Sequence, residues 1–404
     1  MKTVWILNHY AQEPGGPGGT RHFSLARHLR EHGWRAIIIA SSVEHGTGRQ
    51  RLADGERFRL DSYDGVTFLW LRGNSYTGNG GDRIRNMLGY TLAALRVPSA
   101  VLPAPDIVVG SSVHPFAAWA GARLASRFGV PFIFEIRDLW PQTLIDMGRL
   151  KSHHPMALAL GRLEKSLCHK ACRVVTLLPK ADQYLQTIGV SPDRVVWVSN
   201  GVEITDRTLP APLTGERAFV LMYFGAHGSA NGLENALLAM ERLQREALPV
   251  RLRLIGDGPA KSRLVQLARE LALANVSFEP PVRKSDIPSL ASEADAFIFN
   301  LIDAPVFKYG ISSNKLFDYM GAQRPVIFCC NSSNNPVMDA GAGLTVPPEQ
   351  PDALAEAIRA LIVKDAEERA AMGLAGRRHV QAHYSYRMLA DKFAGILNEC
   401  ANSV

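Results

Sequence analysis

The segment Tyr309–Val326 reads Tyr-Gly-Ile-Ser-Ser-Asn-Lys-Leu-Phe-Asp-Tyr-Met-Gly-Ala-Gln-Arg-Pro-Val and holds the densest set of residues suited to binding chemistry. Ser312 or Ser313 supplies a helix N-cap, so free N–H groups face whatever lies ahead of the helix. Lys315 adds a point charge suited to phosphate. Asp318 follows one turn later, placed to accept from ribose hydroxyls. Gly310 permits close approach of a ligand to the backbone. An ordinary capped helix is the plainer alternative.

Three glycine-rich turns share this character. Pro14–Arg21 carries Gly15, Gly16, Gly18 and Gly19 directly after a first β-rich run and opens a helix. Such a turn lets amides approach an anion, and the helix N-terminus adds a favourable dipole. It is neither a GxGxxG fingerprint nor a Walker loop, and a flexible connection is the alternative. Phe224–Gly232 repeats the pattern with Gly225, Gly228 and Asn231, where amides could meet a diphosphate. Gly256-Asp257-Gly258 ends the next strand, at a position suited to a nucleobase; by itself it is only a good turn.

Two polar strand exits complete the set. Gly110–His114 places a histidine where a neutral imidazole could hydrogen-bond a sugar hydroxyl; a buried structural histidine is the competing reading. Glu135–Pro141 places Glu135, Arg137 and Asp138 at a strand exit, which is costly to bury unless the charges are paired or functional. An Arg137–Asp138 ion pair would satisfy the first condition. An Asp138 open to ligand, positioning an acceptor hydroxyl or a sugar, would satisfy the second.

The elements that must position these residues follow from the apolar runs. Val4–Leu7, Ala36–Ile39, Thr67–Leu71, Ile107–Val109, Phe132–Glu135, Val174–Leu177 and Val195–Val198 read as strands. The rhythm restarts with Phe219–Phe224, Arg251–Ile255, Val276–Phe278, Ala296–Phe299 and Pro325–Phe328. Continuous apolar strands alternating with helices imply parallel sheets covered on both faces. The expected fold is α/β, two doubly wound Rossmann-like domains facing across a cleft, with ligands at the strand carboxyl ends. The Pro- and Gly-bearing segment Thr208–Glu216 reads as the linker. The expected domains are 1–207, 217–385 and a C-terminal helix over 386–404 that packs back on the first.

The bulk properties set limits. The 404 residues suit two cores better than one. No apolar run approaches the roughly 20 residues of a bilayer span. The N-terminus reads as a strand rather than a secretory signal. Cys168, His169 and Cys172 lack a second pair to complete a metal tetrahedron, so no metal site and five reduced, buried thiols are expected, as in a cytoplasmic protein. The formal charge of +7 favours anionic partners. Arg21, Arg27, Arg30 and Arg35, with His22, His28 and His32, fall on one expected helix. Arg83, Arg85 and Arg96 flank the apolar stretch Met87–Leu95, which suits either a membrane interface or a core helix. No aromatic-basic interleaving points to nucleic acid.

Together with Ser199-Asn200-Gly201-Val202, these segments resemble the retaining glycosyltransferases of family 4, with the GT-B fold. They are most similar to the bacterial branch that builds O-antigen, capsule or exopolysaccharide, including N-acetyl-L-fucosamine transferases. The resemblance implies a nucleotide-sugar donor, UDP-linked, bound mainly by the C-terminal domain and serving as co-substrate without a further cofactor or metal. It implies a saccharide acceptor bound mainly by the N-terminal domain; the basic first helix and the arginine-flanked apolar stretch within Arg83–Val101 suit an acceptor carried on polyprenyl diphosphate at the inner face of the plasma membrane. Gly15, Gly16, Gly18, Gly19, Asn200, Gly225, Gly228, Asn231, Gly256, Asp257, Gly258, Ser312, Ser313, Asn314, Lys315 and Asp318 become the donor-binding set. His114, Arg137 and Asp138 become the catalytic candidates. The second carboxylate of the family's acidic motif falls on Asp318 and the first on Gly310. The family's basic residue falls near uncharged Asn231, leaving Lys315, Lys308, Arg283 or Lys284 to replace it. The family's same-face attack, with the leaving phosphate taking the acceptor proton, needs no protein nucleophile. Alternatives are a UDP-sugar epimerase of the same fold and a non-catalytic nucleotide-sugar-binding partner.

Overall fold

The computed structural model describes residues 1–16, 20–44, 47–75, 81–112, 114–204, 217–283 and 286–402. The expected linker, with Gly18, Gly19 and Lys284, lies outside them. The chain divides into two compact units. The first comprises Met1–Asn200, Tyr309–Ser312 and Tyr386–Val404; the second comprises Gly201–Lys308 and Ser313–Ser385.

The first unit is built on strands β1 (Lys2–Leu7), β2 (Trp34–Ser41), β3 (Phe58–Tyr63), β4 (Val66–Leu71), β5 (Ile107–Ser112), β6 (Phe132–Ile136), β7 (Arg173–Thr176) and β8 (Val195–Trp197). Their order is β3-β4-β2-β1-β5-β6-β7-β8, parallel except for the antiparallel β3–β4 pair. Its helices are α1 (Arg21–Leu29), α2 (Gly81–Leu95), α3 (Pro115–Phe128), α4 (Gln142–Asp146), α5 (Pro155–Lys170) and α6 (Ala181–Thr187). Local sequence explains their ends. In α3 the His114 side chain accepts from Ala117 N–H, Pro115 opens the first turn, and Gly129 takes a left-handed φ of 66° to stop it.

The second unit holds β9 (Phe219–Phe224), β10 (Val250–Ile255), β11 (Val276–Glu279), β12 (Ala296–Asn300), β13 (Val326–Cys329) and β14 (Gly343–Val346). The order is β11-β10-β9-β12-β13-β14, all parallel. Its helices are α7 (Leu233–Arg245), α8 (Lys261–Glu270), α9 (Ile287–Ala291), α10 (Asn314–Gly321), α11 (Pro336–Ala340), α12 (Pro351–Val363) and α13 (Ala366–His383).

The last helix, α14 (Tyr386–Ala401), returns to the first unit. Leu389, Phe393, Ile396 and Leu397 join the core formed by α1, β1 and β2. Trp34 Nε1 donates to Asn398 Oδ1 at 3.1 Å. Cys172 and Cys400 form a disulfide, which corrects the expectation of five reduced thiols; Cys168, Cys329 and Cys330 are free and buried. The bonded cysteines are 228 residues apart, and only the return of α14 brings them together.

In each sheet the winding reverses once, at β1–β5 and at β9–β12. A doubly wound sheet opens a crevice at the carboxyl ends of the strands where this happens. The exits of β1, β5, β9 and β12 are therefore the places where each unit can receive a ligand.

Candidate active site

The second unit gathers most of the expected donor residues around the β9 exit. The loop Gly225–Gly232 and the turn Gly256–Gly258 lie backbone against backbone. Gly225 N–H donates to Ile255 O at 3.0 Å and His227 N–H to Asp257 O at 2.8 Å. Gly256 adopts φ 142°, and a Cβ there would stand 2.0 Å from Gly225 O; at Gly258, φ 156°, a Cβ would stand 2.6 Å from His227 O. Only glycine allows this approach. The Asp257 side chain folds onto its own neighbour, accepting from Gly258 N–H at 2.8 Å. His227 is fully buried under the loop, and neither ring nitrogen has a partner among the described residues.

Helix α10 presents its first turn beside this loop. Ser313 occupies the N-cap in extended conformation, but its side chain makes no capping hydrogen bond. The amides of the first turn are thus free of a side-chain cap. Lys315 Nζ donates to Asn231 Oδ1, and to Tyr223 Oη at 3.1 Å. The ammonium also lies over the Tyr223 and Phe299 rings, 4.8 and 5.4 Å from their centroids. Burial pulls its pKa down to about 7. A cation is therefore delivered to position 231 from α10, although residue 231 itself has none.

Three residues outside the sequence-derived set hold this arrangement. Tyr223 Oη donates to Ala226 O at 2.7 Å. Asn300, at the end of β12, donates to Asn231 O and Gly232 O, both at 2.8 Å. Tyr319 on α10 donates to Phe224 O at 2.8 Å and accepts from Phe224 N–H at 3.0 Å, fixing the helix to β9. Asp318 lies partly buried one turn into the helix. The signal available in the sequence was a polar side chain near the end of an apolar strand, Tyr223 next to last in β9 and Asn300 last in β12.

In the first unit the paired charge at the β6 exit is Glu135, and Arg137 and Asp138 form no ion pair with each other. Glu135 is fully buried and accepts from Arg21 Nε at 3.0 Å and from His22 Nε2 at 2.6 Å. Arg21 also donates to Val198 O at 2.9 Å and to Ser199 O. Asn8 Nδ2 donates to His22 Nδ1 at 2.8 Å, so a neutral His22 accepts there and donates to Glu135. Burial alone would raise the Glu135 pKa, but His22 and Arg21 hold it well below the carboxylate range. Burial lowers His22, outweighing Glu135. The expected basic helix is corrected accordingly. Arg21 and His22 point inward to Glu135, and Arg35 lies on β2.

Of the catalytic candidates, Asp138 is exposed and Arg137 half-buried, with Arg137 N–H on Ser112 Oγ at 3.3 Å. His114 is buried, and both ring nitrogens are engaged. Nδ1 accepts from Ala117 N–H at 3.3 Å, and Nε2 meets His9 Nδ1 at 2.6 Å. Burial, then Arg83, lowers its pKa to about 3, so the ring is neutral. Gly15 is exposed with φ 86°, and Gly16 N–H closes a turn onto Glu13 O at 3.1 Å. Asn200 is fastened to Ser312. Its N–H donates to Ser312 Oγ at 2.7 Å and its Nδ2 to Ser312 O at 2.6 Å. Among the described residues, no group of three or more His, Cys, Asp or Glu side chains could hold a metal ion.

Residues 17–201 match the family model described as a glycosyl transferase 4-like domain, and residues 218–364 match the model for glycosyl transferases group 1. WcaI of Escherichia coli (strain K12), named as a colanic acid biosynthesis glycosyl transferase, is 25% identical over 207 residues. That alignment covers 48% of this chain and 50% of WcaI, so the chain spans about half the length of that curated relative. A sucrose-phosphate synthase structure from Thermosynechococcus elongatus superposes with a TM-score of 0.78 at 17% identity, covering 100% of both chains. Anabaena HepE, solved with UDP and glucose, gives a TM-score of 0.66 at 15% identity, covering 98% of this chain and 99% of that one. On its two matched models and its paired Rossmann-like sheets, the chain belongs to the glycosyltransferases of the GT-B fold.

Proposed function

We propose that this protein transfers a sugar from a nucleotide-sugar donor, UDP-linked, to a saccharide acceptor, with retention of anomeric configuration. The observation that carries the reading is Lys315, which reaches from the first turn of α10 to Asn231 in the β9 exit loop. Amides and a cation placed at one point are what a leaving diphosphate needs, because they stabilise charge that grows as the glycosidic bond breaks. The Gly225–Gly232 and Gly256–Gly258 backbones would line the nucleotide, and Asp318 would accept from ribose. Leaving-group stabilisation of this kind needs no protein nucleophile. Asp138, exposed at the β6 exit, would position the acceptor hydroxyl.

The sugar we favour is N-acetyl-L-fucosamine or a related deoxy or amino sugar, delivered to a polyprenyl-diphosphate-linked acceptor in surface polysaccharide synthesis at the inner face of the membrane. Helix α2 supports a membrane-facing acceptor. Its outer face carries Ile84, Leu88 and Leu92, each 46–54% exposed, beside exposed Arg85, while its inner face buries Asn86, Tyr90 and Thr91. Apolar residues outward and polar residues inward suit a lipid interface. Among the described residues, no helix is long and apolar enough to cross a membrane.

The test is incubation with UDP-N-acetylhexosamines and their deoxy analogues, following released UDP and the anomeric configuration of the product by NMR. Turnover with retention supports the reading. Nucleotide binding with no release of UDP under any acceptor would make this a binding partner instead.

A further inference from the structure

Glu164 is a buried carboxyl that the proposed transfer does not use. It lies on α5 and is 2% exposed. A carboxyl withdrawn from water needs donors or must stay neutral. One donor stands at hydrogen-bond distance, Tyr184 Oη at 2.7 Å from Oε2, and the Trp140 backbone N–H acts on the same carboxyl. Trp140 and Tyr184 lead to different segments of the chain. Trp140 stands two residues past Asp138, in the turn that leaves β6. Tyr184, on α6, packs its ring edge-on against Tyr309, with centroids 5.8 Å apart.

Tyr309 opens a four-residue stretch, Tyr309–Ser312, that belongs to the first unit. Lys180 N–H donates to Tyr309 O at 3.0 Å, and Asn200 holds the far end at Ser312. The next residue, Ser313, is the N-cap of α10. We infer that Glu164 is a positioning residue that holds the turn carrying Asp138 through the Trp140 amide and, through Tyr184, the stretch that leads into α10. This role rests on the reading of α10 as the donor-phosphate helix.

The ionisable groups around Glu164 are Cys168 on its own helix and Tyr184 from α6, with Tyr309 beyond Tyr184 and Arg194 acting on Cys168. Burial raises the Glu164 pKa to about 8 against the pull of both donors, so the hold is exerted by a neutral acid at pH 7. A glutamine can keep both contacts, accepting from Trp140 N–H and donating to Tyr184 Oη, but cannot ionise. Leucine keeps neither.

The experiment uses the full chain. Tryptophan emission is followed from pH 6.5 to 9.5 in the wild type, Glu164→Gln and Trp140→Phe. UDP affinity at pH 7 is measured by calorimetry in the wild type, Glu164→Gln, Glu164→Leu and Tyr184→Phe. The wild type is expected to show an emission change centred near pH 8 that disappears in Glu164→Gln and Trp140→Phe. Glu164→Gln is expected to bind UDP within about twofold of wild type. Tyr184→Phe should weaken binding roughly fivefold, the loss of one hydrogen bond, and Glu164→Leu more. An emission change that persists in Glu164→Gln, or Tyr184→Phe binding UDP as tightly as wild type, would overturn the role. If Glu164→Leu does not fold, the other two variants still decide it. A wild type that fails to bind UDP refutes the nucleotide reading alone, because the emission arm reads the Glu164 hold without any ligand.

Discussion

Replacing Lys315 by methionine removes a cation but leaves a stem of similar length beside Gly225. The amine donates to Asn231 Oδ1 and Tyr223 Oη and lies over two aromatic rings, with its pKa drawn down to about 7 by burial. A diphosphate arriving here would replace these weak partners with a strong one. A hydrogen bond to a charged group is worth about 1.5–3 kcal/mol, so the variant should bind UDP roughly 10- to 150-fold more weakly. The pH dependence is the sharper signature. The free amine loses its proton above about pH 7 while the bound one keeps it. Wild-type affinity should therefore fall as pH rises through 7 to 9, by up to about tenfold per unit, and the methionine variant should show no such slope. Stability runs the opposite way. The folded pKa lies below the unfolded value of 10.5, so the unfolded chain binds the extra proton between the two and wild-type stability rises across that window. The variant loses this rise and should be no less stable at pH 7, so weaker binding could not be ascribed to unfolding. Calorimetry at pH 6.5, 7.5 and 8.5, in buffers of different ionisation enthalpy, measures both affinity and proton uptake. Affinity within twofold of wild type, with the same pH slope, would refute the reasoning.

Other expectations concern the scaffold. Gly256→Ala places a Cβ against Gly225 O and should both cost about 1–3 kcal/mol of stability and weaken UDP binding, read by urea titration and calorimetry. Glu135→Ala leaves Arg21 buried without its carboxylate and should cost about 3–5 kcal/mol, checked by denaturant midpoint. Because Glu135 ionises well below its unfolded value, its contribution is present above pH 4.5 and should be lost as pH falls through the lower folded value. Cys400→Ser should lower stability by about 2–4 kcal/mol; alkylating the denatured, unreduced wild type should label Cys168, Cys329 and Cys330 but neither Cys172 nor Cys400.

Most of the parallel strands were legible because they are short, nearly continuous apolar runs, the pattern of strands covered on both faces; the parallel edge strand β14, Gly-Leu-Thr-Val, was not. β3 escaped notice because Phe-Arg-Leu-Asp-Ser-Tyr is polar and half-exposed, as an antiparallel edge strand can be. At the site, the glycine turns showed through because a backbone-to-backbone approach leaves no freedom in residue type. The paired charges did not. Arg21 and His22 looked like part of a basic surface because nothing in the sequence places Glu135, more than a hundred residues later, against them. His114 looked available to ligand because its two engagements, with Ala117 and His9, depend on the helix start and on a neighbouring strand exit. Position 231 looked deficient in charge because the sequence does not show that the Lys315 side chain ends there. Spacing within one segment is readable from sequence; which distant segment supplies the partner is a property of the fold.

The central claim is that the α10 start and the β9 exit loop hold a nucleoside diphosphate. The most direct measurement is the thermal shift of the wild type and of Asp318→Ala with UDP, GDP and ADP. UDP is expected to raise the wild-type Tm and GDP and ADP to do so less, while Asp318→Ala melts normally but loses the UDP response. An equal UDP response in Asp318→Ala, or no response of the wild type to any of the three, would contradict it.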